Sequence, residues 1–138
     1  MYQAIREIQT AFEKADFHHD VVELGEKWAL TAGVSGDQAS YKFLFIKSDA
    51  DDNDVAMRVM SVANFPNDRL AAAYKLVSEL NSQYRFLRFV IDSDNDLNVE
   101  YDFPIHCDPI GPMAIELMIR TTQILDDCYP KVMRLIWA

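Results

Sequence analysis

Apolar residues near the N-terminus recur every three or four positions, which predicts a helix. Ile5, Ile8 and Phe12 lie on one side of this helix, and charged residues such as Glu13 lie on the other. The pattern ends at the polar residues 16–20, which are typical of a connection. The chain therefore begins with an amphipathic helix that has one face to bury.

Between residues 21 and 63 the apolar period changes to the alternation of β-strands. The predicted strands cover residues 28–34, 41–46 and 55–63, with a short fourth strand left open at 21–24. A turn is predicted at residues 35–37 and a polar hairpin loop at 48–54. Short loops favour antiparallel neighbours, so this half of the chain predicts an antiparallel sheet.

A second helix is predicted after this sheet. Pro66 favours a helix start, and an apolar stripe at helical spacing then runs from Leu70 to Tyr84. Asn81 lies near the end of the stripe and is predicted to be a left-handed cap. A hairpin follows, with strands at 86–91 and 97–103.

The last segment predicts a long apolar helix. Asp108 and Pro109 are a favourable helix start, and two neighbouring apolar stripes follow from Met113 onwards. A helix with two apolar faces is either central in its domain or shared with another subunit. Pro130 removes one backbone donor, so we expect the tail 131–138 to kink or restart.

These elements give the order α-β-β-β-α-β-β-α, which predicts an α+β fold. The chain has 138 residues, half of them apolar, and shows neither an internal repeat nor a linker. This length and composition suit one hydrophobic core. We therefore expect a single domain over residues 1–138.

Composition excludes several classes of partner. The chain has 22 acidic and 13 basic residues, for a formal net charge of -9. Nucleic acids and anionic membrane surfaces require a dense positive charge, so neither is expected as a partner. No apolar run reaches the roughly 18 residues of a membrane span, and no secretion signal is visible at the N-terminus. We expect a soluble, cytoplasmic protein.

Two acidic loops are candidate cation sites. The turn 92–96 has carboxylates at its first, third and fifth positions, as a calcium loop does. However, Leu97 takes the place of the required Gly, and Phe103 takes the place of the bidentate Glu. A hairpin turn is the simpler interpretation of this loop. A cation- or small-ligand-sensing module that uses loops 49–54 and 92–96 remains the alternative function.

Candidate catalytic chemistry is sparse. His106, Cys107 and Asp108 are donors without a second pair at metal-ligand spacing, and Cys128 lies on an apolar helical stripe. The chain has four Gly and contains no nucleophile elbow or phosphate-binding loop. We expect no catalytic, cofactor-binding or metal-binding residues. An enzyme centred on Cys107 or His106 is the least favoured class.

Residues in the second half of the chain resemble the YbjN family, which is described as bacterial sensory transduction regulators. The resemblance lies in the helix segment 76–86, the strand 88–92 and the acidic turn and alternating strand 94–102. Asn81 is the most family-like single position, whereas Ser78 stands where the family often has Asn. The N-terminal half matches only by the order of its elements.

The resemblance implies a fold similar to type III secretion chaperones. These are commonly dimeric and pack a twisted antiparallel sheet against helices. The family motif contains no catalytic residue, so none is carried over. A regulatory or chaperone-like role follows from the resemblance alone.

An excess of apolar residues favours a protein partner. The strands and the last helix carry more apolar side chains than one covered sheet face requires, which favours a surface shared with a partner. A well-filled core with burial on both sides inside one subunit is the alternative. Acidic residues around such a patch would suit a client segment that carries Lys and Arg. We therefore predict a non-enzymatic homodimer that binds a protein or peptide client. The predicted contact residues are Phe43, Phe45, Leu87, Phe89, Met118 and Ile119.

Overall fold

A computed structural model describes residues 1–48, 54–104 and 109–137. The helices are α1 (Gln3–Lys14), α2 (Leu70–Gln83) and α3 (Ile110–Trp137), and a 3₁₀ turn at Asn67–Arg69 precedes α2. The strands are β1 (Asp20–Leu24), β2 (Lys27–Ser35), β3 (Ser40–Lys47), β4 (Asp54–Asn64), β5 (Arg88–Ile91) and β6 (Asp96–Pro104). The short fourth strand left open at 21–24 is present as β1.

The strands form one six-stranded sheet in the order β1-β2-β3-β4-β6-β5. Every neighbouring pair is antiparallel, as the short loops predict for consecutive strands, and β4 also pairs with β6 across the intervening α2 and β5. The α+β class is therefore confirmed, with β1 added to the predicted element order. The likeness to secretion chaperones stays a prediction.

Alternation along the strands separates a covered face from an open face. Phe43 and Phe45 of β3 lie opposite Val59 and Met57 of β4, and all four are buried. Helix α1 packs on β2 and β3, and α2 packs on β5. On the other face of the sheet, the side chain of Arg58 in β4 is partly exposed to solvent. The core therefore lies between the helices and one face of the sheet.

Helices α1 and α3 approach each other closely at Gly111. A β-carbon on Gly111 would lie 2.7 Å from the backbone oxygen of Glu7 and 2.8 Å from the β-carbon of Ala11. Both distances are too short for ordinary contact, and the first involves backbone that cannot easily move. Gly at this position therefore allows α3 to pack directly on α1.

Helix α3 continues through Pro130 to Trp137. We expect a kink or a restart of the helix in the tail 131–138. The expected restart is wrong, because α3 continues to Trp137 without a break. Pro130 lies on the exposed side of the helix, whereas Cys128 and Val132 on either side of it are buried in the core. Packing on both sides of the proline compensates for the missing backbone donor.

Asn81 lies inside α2, so the prediction that it is a left-handed cap is wrong. Its side-chain nitrogen donates to the backbone oxygen of Phe89 at 3.0 Å. Its side-chain oxygen accepts from the backbone N–H of Phe89 at 2.7 Å. The amide therefore pairs with β5 in the way that a neighbouring strand would.

Replacing Gly111 with Ala should destabilise the protein, because the new methyl group overlaps the backbone of α1. We expect the free energy of unfolding to fall by about 1–3 kcal/mol in a urea titration. Gly33→Ala is the matched control, since a β-carbon at Gly33 meets no atom within 4 Å. An equal loss of stability in both variants would contradict the close α1–α3 contact.

Candidate protein-binding site

The six predicted contact residues fall into two groups. Ile119 on α3 is 45% exposed. The other five are buried in the core of the single chain: Phe43, Phe45, Leu87, Phe89 and Met118. The alternation in β3 places two of them on the face that the helices cover. Of the six predicted contact residues, Ile119 is therefore the one that a partner can reach directly.

Three surface grooves meet along the outer side of α3. The largest, about 720 Å³, lies between α1 and α3 and is lined by Ala11 and Ile115 among others. A second, about 380 Å³, lies beside Phe17. A third, about 540 Å³, lies beside Phe86. Gln123 lines all three grooves, so one helix forms a wall of each.

The residues at this junction define what we call the α3 surface: Ile115, Glu116, Ile119, Arg120 and Gln123. The first groove is lined by all five, which follow one another at helical spacing. Arg120 donates to Glu116 at 3.1 Å, and both side chains are more than half exposed. The α3 surface therefore combines exposed apolar area with one cation and one anion.

A carboxylate on α3 holds the β2–β3 hairpin in place. Asp126 accepts hydrogen bonds from the backbone N–H groups of Asp37 at 2.8 Å and Gln38 at 3.2 Å. It also accepts one from the hydroxyl of Tyr41 at 2.8 Å. Burial acts to raise the pKa of Asp126, but the three donors outweigh it and hold the pKa below its ordinary value. Burial, and then the hydrogen bond to the same carboxylate, raise the pKa of Tyr41.

The next residue on α3 makes a similar contact on the other side. The hydroxyl of Tyr84, which follows α2, donates to the carboxylate of Asp127. Burial and this hydrogen bond raise the pKa of Tyr84. Asp126 and Asp127 thus fix α3 to the β2–β3 hairpin on one side and to Tyr84, which follows α2, on the other. This anchoring presents the α3 surface on a rigid helix.

Phe86 beside the third groove has a strained backbone. Its φ angle is 54°, a left-handed value that costs a bulky residue energy. The N–H of Leu87 donates to the oxygen of Arg85 at 2.7 Å, which closes a γ-turn around Phe86. The sequence pattern placed Phe86 in a strand, but β5 begins at Arg88. The turn keeps the Phe86 ring at the surface, where it packs edge-on against Tyr101.

The acidic turn 92–96 is held by its own hydrogen bonds. Asp92 accepts from the N–H groups of Asp94 and Asp96 at 2.9 and 3.1 Å, and from the amide nitrogen of Asn98 at 2.8 Å. The bond from Asn98 is the main cause of the lowered pKa of Asp92. Asp96 in turn accepts from the hydroxyl of Ser61 at 3.0 Å. These carboxylates stabilise the hairpin and its contact with β4. Of the other acidic loop, 49–54, only Asp54 lies among the described residues.

The remaining candidates for metal binding or catalysis are residues 106–108 and Cys128. His106, Cys107 and Asp108 lie outside the described residues. Over residues 1–48, 54–104 and 109–137, no cluster of His, Cys, Asp and Glu is arranged to hold a metal ion. Cys128 is buried, and burial raises its pKa to about 11. Cys128 is therefore a small core residue, as its place on an apolar stripe of the last helix indicates.

The fold and this surface define an α+β domain with helices on one sheet face and an exposed apolar helix surface. The chain belongs to the YbjN family, described as "Putative bacterial sensory transduction regulator", whose model matches residues 5–132. The predicted family is thus confirmed over nearly the whole chain. No curated protein matches the chain. Within the part of the chain that the structure describes, no helix has the length and apolar character of a membrane span.

The carboxylate of Asp126 should make stability depend on pH in acid. Because its folded pKa lies below the ordinary 3.8, the folded protein holds this proton more weakly than the unfolded chain does. The stabilisation is therefore present above about pH 4 and is lost as the pH falls through the folded pKa.

Tyr41→Phe removes one of the three donors and should raise the pKa of Asp126 toward 3.8, as measured by carboxyl NMR titration. Tyr129→Phe is a matched control, because Tyr129 packs edge-on against Tyr41 and is not one of the three donors to Asp126. An Asp126 titration that is the same in wild type and in Tyr41→Phe would contradict this arrangement.

Proposed function

We propose that this chain is a non-enzymatic regulatory domain that binds protein partners and acts as a homodimer through the α3 surface. The observation that carries the proposal is the exposure of Ile119 where two of the three grooves meet on one rigid helix. Exposed apolar side chains in a continuous concave surface are typical of protein-binding sites. Membership in a family of regulators supports the same role.

The charges of the α3 surface suit a second copy of the same chain. In a two-fold dimer, the same patch of each subunit faces itself. If two α3 helices cross antiparallel with the axis at the level of Met118, position 116 of one subunit faces position 120 of the other. Glu116 of each subunit then lies opposite Arg120 of its partner, the apolar position 119 lies between these pairs along the helix, and position 115 lies just outside them. The surface is therefore complementary to itself in both charge and hydrophobicity.

Replacing Ile119 with Glu should convert the dimer into a folded monomer, because it buries an unpaired charge at the centre of the interface. Light scattering coupled to size-exclusion chromatography should then give the mass of one chain. Tyr74→Glu is the control: Tyr74 is exposed on α2, lines none of the three grooves, and should leave the dimer intact. A dimer that persists in Ile119→Glu would refute the proposed interface.

A charge exchange tests the orientation of the two helices. Arg120→Glu places like charges opposite each other and should weaken the dimer roughly fivefold. Adding Glu116→Arg restores opposite charges at both positions and should restore the affinity. Sedimentation equilibrium measures each dimer affinity. If the double variant is as weak as the single one, the antiparallel arrangement is wrong.

A further inference from the structure

The two edge strands of the sheet, β1 and β5, differ in whether the chain itself covers their outer backbone groups. At the β5 edge, Asn81 from α2 donates to and accepts from the backbone of Phe89. These bonds occupy backbone groups that would otherwise be available to an added strand. Helix α2 also packs on β5, which has only four residues. The β5 edge is therefore closed.

The β1 edge is open. β1 is the first strand of the sheet, and no strand among the described residues pairs with its outer side. Its pairing with β2 is continuous from Asp20 to Leu24, without a bulge. Proteins commonly protect such edges with Lys, Pro or a bulge, none of which occurs in the β1 sequence DVVEL, whose charged residues are the acidic Asp20 and Glu23. The edge thus keeps the backbone geometry that another strand needs.

The turn after β1 fixes which backbone groups face outward. Gly25 has a φ of 64° and, with Glu26, forms the two-residue connection to β2. In such a hairpin the flanking residues Leu24 and Lys27 form a hydrogen-bonded pair, and bonded and non-bonded pairs then alternate. The N–H and C=O groups of Val21 and Glu23 therefore point away from β2.

Side chains along β1 define the chemistry of an added strand. Val22 and Leu24 are 39% and 55% exposed, and the alternation places them together on the open face. Glu23 lies on the opposite face and is exposed. Asp20, at the start of the strand, is also exposed and lies on the same face as Val22 and Leu24. Beside residues 22–24, an added strand would thus meet apolar side chains on one face and a carboxylate on the other.

We propose that the β1 edge binds an extended segment of a protein partner, which adds to the sheet as a seventh strand. The segment alternates apolar residues, which pack beside Val22 and Leu24, with Lys or Arg residues, which pair with Glu23. A second copy of β1 fits less well, because each strand would bring Asp20 and Glu23 to the same seam. This inference names the client of the proposed regulator, but the edge does not require the α3 dimer.

The test uses two fluorescent eight-residue peptides that alternate valine with lysine or valine with glutamate. Fluorescence anisotropy should detect binding of the lysine peptide and much weaker binding of the glutamate peptide. Glu23→Lys should weaken binding of the lysine peptide at least roughly fivefold and should strengthen binding of the glutamate peptide. This reciprocal change cannot come from misfolding, which would reduce both affinities.

Glu79→Lys on α2 is the control, because it changes the net charge equally at an exposed site away from β1. It should leave both peptide affinities close to those of the wild type. Hydrogen exchange should also slow at Val21 and Glu23 when the lysine peptide is bound. Equal effects of Glu23→Lys and Glu79→Lys, or unchanged exchange at β1, would overturn the proposal.

The same measurement in the Ile119→Glu variant separates the two proposals. The monomeric variant should still bind the lysine peptide with the wild-type affinity. If the wild type is already a monomer and yet binds the peptide through β1, the α3 dimer fails and the edge site stands. If the dimer is confirmed and neither peptide binds, the edge site fails and the dimer stands.

Discussion

The close packing of α3 on α1 and on the sheet is the constraint on which the other features depend. Gly111 permits the contact with α1, while Asp126 and Asp127 bind the hairpin and the α2–β5 junction on the two sides of the helix. A helix held in this way cannot rotate to bury Ile119. Its outer side therefore remains as a fixed surface, with an exposed apolar residue between charged ones.

The two edge strands of the sheet differ in whether the chain itself covers them. Asn81 gives β5 the hydrogen bonds of a neighbouring strand, so that edge ends the sheet. β1 has no such partner among the described residues and carries exposed apolar and acidic side chains. The family resemblance singled out Asn81 by its position in the sequence, and its hydrogen bonds supply a physical reason for that residue. One edge is closed by the chain itself, and the other is available to a partner.

Most of the fold could be predicted from the sequence, whereas most of the site could not. Alternation and helical spacing predict the elements because they depend on neighbouring residues. These patterns do not reveal which face of a strand the helices cover. The sequence therefore predicts Phe43 and Phe45 at a partner surface, whereas both lie in the core. The bonds of Asn81 to Phe89 and the γ-turn at Phe86 depend on tertiary contacts. Ile119 could be identified because it lies on the second apolar stripe of the last helix, beyond what one covered face requires.

The central claim is that the α3 surface is covered by a second copy of the chain. Sedimentation equilibrium of the unmodified protein over a range of concentrations from nanomolar to high micromolar tests it most directly. The account predicts a reversible change from the mass of one chain to the mass of two as the concentration rises. A mass of one chain at every concentration would contradict it.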